Sequence, residues 1–154
     1  MATGDFNNDG KLDIVTLNAG NGSGTVSVLL GNGQGGFAAA INSAAGANAA
    51  SLAVGDLNGD GKLDLAVASR FDGVNVLLGN GNGTFQQPSN VFVGLDSLSV
   101  AVGDFNSDGK MDLAVGSQTS YSSYYYYYYY NQGHVNVLLG TGGGGFSAPS
   151  FYYT

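Results

Sequence analysis

The 154-residue sequence contains no cysteine, no tryptophan and no glutamate, and its cations are few. The absence of thiols excludes disulfides, cysteine metal sites and cysteine nucleophiles. Lys and Arg total 4 against 11 acids, and the resulting net charge of −7 argues against a basic patch for nucleic acid or anionic membranes.

The uncharged stretch 14–55 contains too much Asn, Ser, Thr and Gly for a membrane helix of about 20 apolar residues, so we expect no membrane insertion. Residues 1–3 lead directly into a polar motif, and no signal peptide is expected there.

Two linked motifs are each present three times. The first reads GDFNNDGKLD at 4–13, GDLNGDGKLD at 55–64 and GDFNSDGKMD at 103–112. The second reads VSVLLGNGQGGF at 26–37, VNVLLGNGNGTF at 74–85 and VNVLLGTGGGGF at 135–146. Short apolar runs alternate with Gly, Asn and Asp, which is typical of strands and turns rather than of helices. A period of about 50 residues indicates repeated structural units.

These repeats predict an all-β fold of β-propeller-type blades, each with four antiparallel strands. In the second repeat we expect strands at 51–55, 63–69, 74–79 and about 85–93. The second of these strands is apolar on both faces, so neighbouring blades must cover both. The LLGNGNGTF segment is expected to form a hairpin turn whose Phe fills the space between blades. The chain is then a single repeat domain, with blades at about 1–48, 49–96 and 97–154.

Nine of the eleven acids lie in three loops with the pattern DxNxDGxxD. Oxygens at positions 1, 3 and 5, followed by a Gly that permits a sharp turn, suit a hard cation. An EF-hand has a closing Glu at position 12, where this chain has Thr16, Val67 and Val115, so position 9 is expected to complete the shell. The predicted ligands are Asp5, Asn7, Asp9, the Lys11 carbonyl and Asp13; Asp56, Asn58, Asp60, the Lys62 carbonyl and Asp64; and Asp104, Asn106, Asp108, the Lys110 carbonyl and Asp112.

About three Ca²⁺ ions per chain would offset six of the seven negative charges. Mg²⁺ suits such a flexible, oxygen-rich loop less well, because it demands a small octahedral shell. The alternative is that Asp, Asn and Gly are present only because they form good turns.

The motif GDFNxDGKxD followed by VNVLLGxGxGxF resembles the FG-GAP/VCBS repeat, the blade of integrin-α-like β-propellers and of many bacterial secreted and surface proteins. The resemblance covers nearly the whole chain in three repeats. It implies calcium in the loop between the first two strands of each blade, held by the matching residues above, and an extracellular or cell-surface location. The chain departs from the family in two ways: such propellers usually have more than three blades, and the third repeat carries an insertion.

The insertion runs from about 118 to 133 and contains an unbroken tyrosine run at 124–130. Tyr121, Tyr124 and Tyr127 are candidate ligand contacts, because exposed tyrosines can stack on sugar rings or on a protein partner. One alternative is an extended hairpin, since Tyr favours strands. Another is that the tyrosines written at 124–130 are placeholders for residues whose identity was never determined.

Few residues remain for catalysis. His134 is the only histidine, is expected at the start of a strand, and has no plausible triad around it. Outside the three loops the acids are only Asp72 and Asp96, so few residues are available for a catalytic acid/base pair. We therefore expect that the protein is not an enzyme. Asn21 and Asn82 begin N-glycosylation patterns, although both also lie where a turn Asn is expected.

The combined expectation is a non-catalytic, calcium-stabilised structural or adhesion module. Propellers close with about four to eight blades, so three repeats would leave two exposed end faces. We therefore expect a homo-oligomer or filament formed through the terminal blades, or docking with partner chains such as surface proteins. The alternatives are a propeller lectin that binds glycans and an accessory domain of a larger secreted enzyme.

Overall fold

The computed structural model describes residues 1–18, 24–94, 96–122 and 129–153. Within these ranges the chain forms strands and turns, with no helix. The strands are β1 (Ala2–Gly4), β2 (Asp13–Asn18), β3 (Gly24–Leu29), β4 (Ile41–Gly46), β5 (Ala49–Gly55), β6 (Asp64–Ser69), β7 (Gly73–Leu77), β8 (Ser89–Val91), β9 (Ser97–Gly103), β10 (Asp112–Ser122), β11 (Tyr129–Leu138), β12 (Gly140–Gly142), β13 (Gly145–Phe146) and β14 (Ser150–Tyr153).

Twelve of these strands form three four-stranded sheets, one for each repeat. Blade 1 has the order β1-β2-β3-β4, blade 2 has β5-β6-β7-β8, and blade 3 has β14-β11-β10-β9. Every pairing within them is antiparallel. The strands β12 and β13 form a separate small hairpin. The predicted all-β class of four-stranded antiparallel blades is confirmed.

The second repeat has the four strands that its sequence predicts. Its last strand, β8, is shorter than the expected 85–93, because a glycine turn and Pro88 come first and proline cannot donate to a ladder. All six residues of β6 are buried. Leu65 and Val67 face the core shared with blade 1, whereas Ala66 faces the core shared with blade 3. Both faces of this strand are therefore covered, as predicted.

Two hydrophobic cores hold the stack together, and blade 2 contributes to both. The first lies between blades 1 and 2; its buried residues are Phe6, Val15, Val26, Val28, Ala45, Ala49, Leu65, Val67 and Leu77. The second lies between blades 2 and 3; its buried residues are Leu57, Ala66, Val74, Val76, Val93, Leu113, Val115 and Leu138. Blades 1 and 3 each have one further face outside both cores.

The glycine-rich segment of blade 2 forms the turn that its sequence predicts. The N–H of Asn80 donates to the Thr84 carbonyl at 3.0 Å, and the N–H of Gln86 donates to the Leu78 carbonyl at 2.8 Å. The ring of Phe85 packs edge-on against Phe6 of blade 1, with centroids 6.1 Å apart. The predicted role of this Phe between blades is confirmed.

The insertion of blade 3 lengthens its central hairpin. Strands β10 and β11 pair as far as Ser122 and Tyr129, whereas β9 pairs only to Ser117 and β14 only to His134. Of the three interpretations of the insertion, the described residues support the extended hairpin. His134 therefore lies well inside β11, and its expected place at the start of a strand is wrong because the insertion extends that strand. The described residues include no helix that could cross a membrane.

Candidate metal loops

Each Asp-rich loop lies between the first and second strands of its blade, where the sequence places it. The glycine at position 6 has a left-handed backbone in every loop, with φ of +79° at Gly10, +79° at Gly61 and +80° at Gly109. A side chain would strain this conformation, so glycine is required for the turn.

Side-chain oxygens at positions 1 and 3 converge on the same backbone amide. In blade 2 the N–H of Asp60 lies 3.1 Å from Oδ1 of Asp56 and 2.9 Å from Oδ1 of Asn58. The N–H of Gly61 donates to the other Asp56 oxygen at 2.8 Å. Loops 1 and 3 repeat this pattern. The loop therefore gathers the oxygens of positions 1 and 3 through its own backbone.

The carboxylate at position 5 pairs with the lysine at position 7. The Nζ–Oδ2 distances are 3.1 Å for Lys11 with Asp9, 3.1 Å for Lys62 with Asp60 and 3.3 Å for Lys110 with Asp108. For Asp60, a hydrogen bond from the Lys62 backbone and another from its ammonium hold the carboxyl pKa below its ordinary value. The pKa values of Asp9 and Asp108 are lowered by the same kinds of bond from their own lysines. The sequence suggested only the carbonyl of each lysine as a functional group.

The carboxylates at position 9 are fully buried and connect two parts of each blade. In blade 2, Oδ2 of Asp64 accepts a 2.8 Å hydrogen bond from the N–H of Leu57, and Oδ1 accepts a 2.7 Å bond from the N–H of Gly79. Asp13 and Asp112 make the equivalent pairs of bonds in blades 1 and 3. Burial raises the pKa of Asp64, while the Gly79 and Leu57 bonds act in the opposite direction. Each of these aspartates ties the loop to the glycine-rich turn.

The glycine whose N–H donates to this aspartate cannot be replaced without moving the backbone. A Cβ on Gly31, Gly79 or Gly140 would lie only 2.2 to 2.3 Å from the carbonyl oxygen of position 8 in the loop of the same blade. The triplicated LLG sequence was the available signal for this contact. This sequence predicts a turn but does not by itself indicate the contact with the aspartate.

The donor chemistry of the loops fits a hard cation, because all the predicted ligand atoms are carboxylate, amide or carbonyl oxygens. Among the described residues, however, no three His, Cys, Asp or Glu side chains lie close enough together to hold a metal ion. In blade 2, position 3 is an amide, the position 5 carboxylate pairs with Lys62, and the position 9 carboxylate accepts two backbone hydrogen bonds. The full ligand sets therefore stay predictions.

The remaining candidate residues are separate from these loops. Tyr121 lies in β10 opposite Tyr130, while Tyr124, Tyr127 and Asn21 lie outside the described residues. Asn82 belongs to the blade 2 turn, where its Oδ1 accepts hydrogen bonds from the N–H and the hydroxyl of Thr84 at 3.0 and 2.7 Å. His134 is buried, with its ring centroid 6.2 Å from that of Phe151.

Stacked four-stranded blades, each with an Asp-rich loop between its first two strands, define a propeller-type repeat protein. The family model of the FG-GAP-like repeat matches residues 5–67 and 56–115, and that of the FG-GAP repeat matches 98–138. The chain therefore belongs to the FG-GAP repeat family, as its motifs predicted. Its relation to VCBS repeats stays a prediction. A search of curated proteins found no match.

Proposed function

We propose that this chain is a non-catalytic structural or adhesion module of the extracellular space or cell surface. In this proposal about three Ca²⁺ ions stabilise its blades, and it self-associates or docks with partner chains. Family membership supports the integrin-like propeller character. The observation that carries the calcium proposal is the triplicated loop of oxygen donors, folded in the same way in all three blades.

The ligands proposed for each ion are the side chains at positions 1, 3, 5 and 9 and the lysine carbonyl at position 7. A bound Ca²⁺ ion would offset two of the three negative charges that each loop places within nine residues. The position 9 aspartate would connect the ion to the rest of the blade, because its carboxylate also accepts a hydrogen bond from the glycine-rich turn. Calcium bound to the loop would therefore stabilise the sheet as well as the loop.

Two observations support a non-catalytic role. Nine of the eleven acids belong to the three loops. His134 is buried, and its ring centroid lies 6.2 Å from that of Phe151 and 6.4 Å from that of Tyr153. These neighbours supply no carboxylate to orient the imidazole, as a triad would require.

Calorimetric titration of the metal-free chain with Ca²⁺, and separately with Mg²⁺, tests the calcium proposal. We expect a stoichiometry of about three Ca²⁺ and weaker binding of Mg²⁺. Ions that bind only the folded state stabilise it by about 2.7 kcal/mol per site at a concentration of 100 Kd, so chelation should lower the melting temperature clearly. Absence of binding together with an unchanged melting temperature after chelation would contradict the proposal.

A further inference from the structure

The two faces of each blade differ, and each internal core joins one face of each kind. We call the side that blade 1 turns to blade 2 the forward face, and the opposite side the rear face. The forward face includes Phe6 and Leu30 in blade 1, Leu57 and Leu78 in blade 2 and, by position in the repeat, Phe105 and Leu139 in blade 3. The rear face includes Leu63 and Phe85 in blade 2, Met111 and Phe146 in blade 3 and, by position, Leu12 and Phe37 in blade 1.

The forward face of blade 3 is uncovered. Phe6 and Leu57, at position 2 of the first two loops, are each only 3% exposed because the next blade covers them. Phe105 has the same position in the third loop and is 52% exposed. Leu139, which corresponds to Leu30 and Leu78, is 40% exposed. An apolar face that is buried twice inside the molecule is therefore open at this end.

The rear face of blade 1 is uncovered in the same way. Leu12 is 71% exposed and Phe37 is 46% exposed. Their counterparts Leu63 and Phe85 pack against the first core, and Met111 and Phe146 against the second. The molecule therefore ends in two unlike apolar faces, one of each kind.

We propose that the forward face of blade 3 binds the rear face of blade 1 in a second copy of this chain. The partner follows from the structure, because both internal cores already join a forward face to a rear face. This inference rests on the self-association in the proposed function and specifies its surfaces and polarity. Such a head-to-tail contact is heterologous, so successive copies form a ring if the rotation closes and a filament if it does not.

The contact between blades 1 and 2 predicts the main contacts between copies. There the Phe6 ring packs edge-on against Phe85, and the Phe6 carbonyl accepts a 2.9 Å hydrogen bond from the N–H of Gly83. By correspondence, Phe105 packs against Phe37 of the second copy, and its carbonyl accepts a hydrogen bond from the N–H of Gly35.

The glycine turns provide an independent sign of complementarity. A Cβ on Gly83 would come within 3.1 Å of Leu30, and one on Gly144 within 3.1 Å of Leu78, so each turn lies directly against a forward-face leucine. Gly35 has the same position in blade 1, where a Cβ would meet nothing within 4 Å. The open space at Gly35 corresponds to the exposed Leu139 at the other end of the molecule.

Two single variants test the two faces separately. Leu139→Glu changes only the forward end and Phe37→Glu changes only the rear end, because both residues are exposed and lie outside the Asp-rich loops. Phe71→Glu is the matched control, because Phe71 is 59% exposed in the turn between β6 and β7 and belongs to neither face. Sedimentation velocity in saturating Ca²⁺ gives the self-association constant of each protein, and circular dichroism checks its fold.

We expect the wild type and Phe71→Glu to associate equally. Each end variant should associate about 30-fold or more weakly, as for loss of a central apolar anchor. In an equimolar mixture of Leu139→Glu and Phe37→Glu, each variant retains the face that the other lacks. The mixture should therefore form dimers with the affinity of a single wild-type interface. If either variant misfolds, Phe105→Glu or Leu12→Glu replaces it at the same end, and calorimetric titration then checks that its calcium stoichiometry is unchanged.

Three outcomes would overturn the inference. If the wild type associates but both end variants associate equally well, self-association stands and the assigned faces are wrong. If the mixture stays monomeric while the wild type associates, the contact is not head-to-tail. If the wild type is monomeric at all concentrations in Ca²⁺, both self-association and this inference fail, while the calorimetric titration still decides the calcium sites.

Discussion

Asn18 on β2 donates a 2.7 Å hydrogen bond from Nδ2 to Oγ of Ser27 on β3. The other two blades have the same hydrogen bond, but there the serine lies on the second strand and the asparagine on the third. In blade 2, Asn75 donates to Ser69 at 3.1 Å, and in blade 3, Asn136 donates to Ser117 at 3.0 Å. Each blade thus keeps one amide and one hydroxyl at the same place between its central strands. The same hydrogen bond is therefore present whichever of the two strands supplies the amide.

The Ser69→Ala substitution should destabilise the fold by about 1–3 kcal/mol, because it leaves the Nδ2 group of the buried Asn75 without its acceptor. Ser99→Ala removes the same hydroxyl from an exposed position and should change stability by less than about 0.5 kcal/mol. Urea denaturation of both variants measures the difference. Equal effects would show that the buried pair makes no special contribution.

The Asp60→Ala substitution should weaken calcium binding at the second loop at least about tenfold, since it removes one of the proposed charged ligands. Asp72→Ala removes the same charge outside the loops and should have a much smaller effect. Calorimetric titration of both variants provides the comparison. If both substitutions weaken binding equally, the acids act through bulk charge rather than coordination.

The Asp64→Asn substitution should destabilise the protein even in excess chelator, by about 2 kcal/mol or more. An amide offers only one oxygen to the two backbone N–H groups of Leu57 and Gly79, so one of them loses its acceptor. Asp60→Asn is the control in the same loop and should have a much smaller effect, because the Asp60 side chain is partly exposed and solvent screens its ion pair with Lys62. Metal-free melting curves that fail to separate the two variants would leave Asp64 with a role in metal binding alone.

The Lys62→Met substitution should tighten calcium binding at the second loop by up to about fivefold, because the ammonium competes with the cation for Asp60. Arg70→Met removes one positive charge from an exposed position outside the loops and provides the matched control. Titrations at equal ionic strength compare them. Identical affinities would mean that any gain comes from net charge and not from release of the Asp60 carboxylate.

The motifs predicted most of the fold because they are local and triplicated. Alternating apolar residues and the LLG turns were enough to predict the strands of blade 2 and the place of Phe85. The role of loop position 2 was not predictable in this way. Phe6 and Leu57 lie within a polar motif, and the contacts that bury them come from the next blade.

The candidate loops were located correctly, but much of their internal chemistry was missed. The hydrogen bonds that Asp64 accepts from Leu57 and Gly79 join residues 7 and 15 positions apart, and the motif alone does not indicate them. The pairing of Lys62 with Asp60 joins residues only two apart, but it depends on a side-chain conformation that the motif does not specify. The length of β10 and β11 depends on how far their pairing continues, and a run of tyrosine has no alternation that fixes this point.

The unlike faces of the blade also bear on how such a gene can change. A tandem duplication of one repeat would insert a blade whose forward and rear surfaces already match those of its new neighbours. Deletion of a repeat would likewise bring together two surfaces that fit. Copy number could therefore vary without any new kind of contact having to evolve, and point mutations would be needed mainly where the series of blades starts or stops.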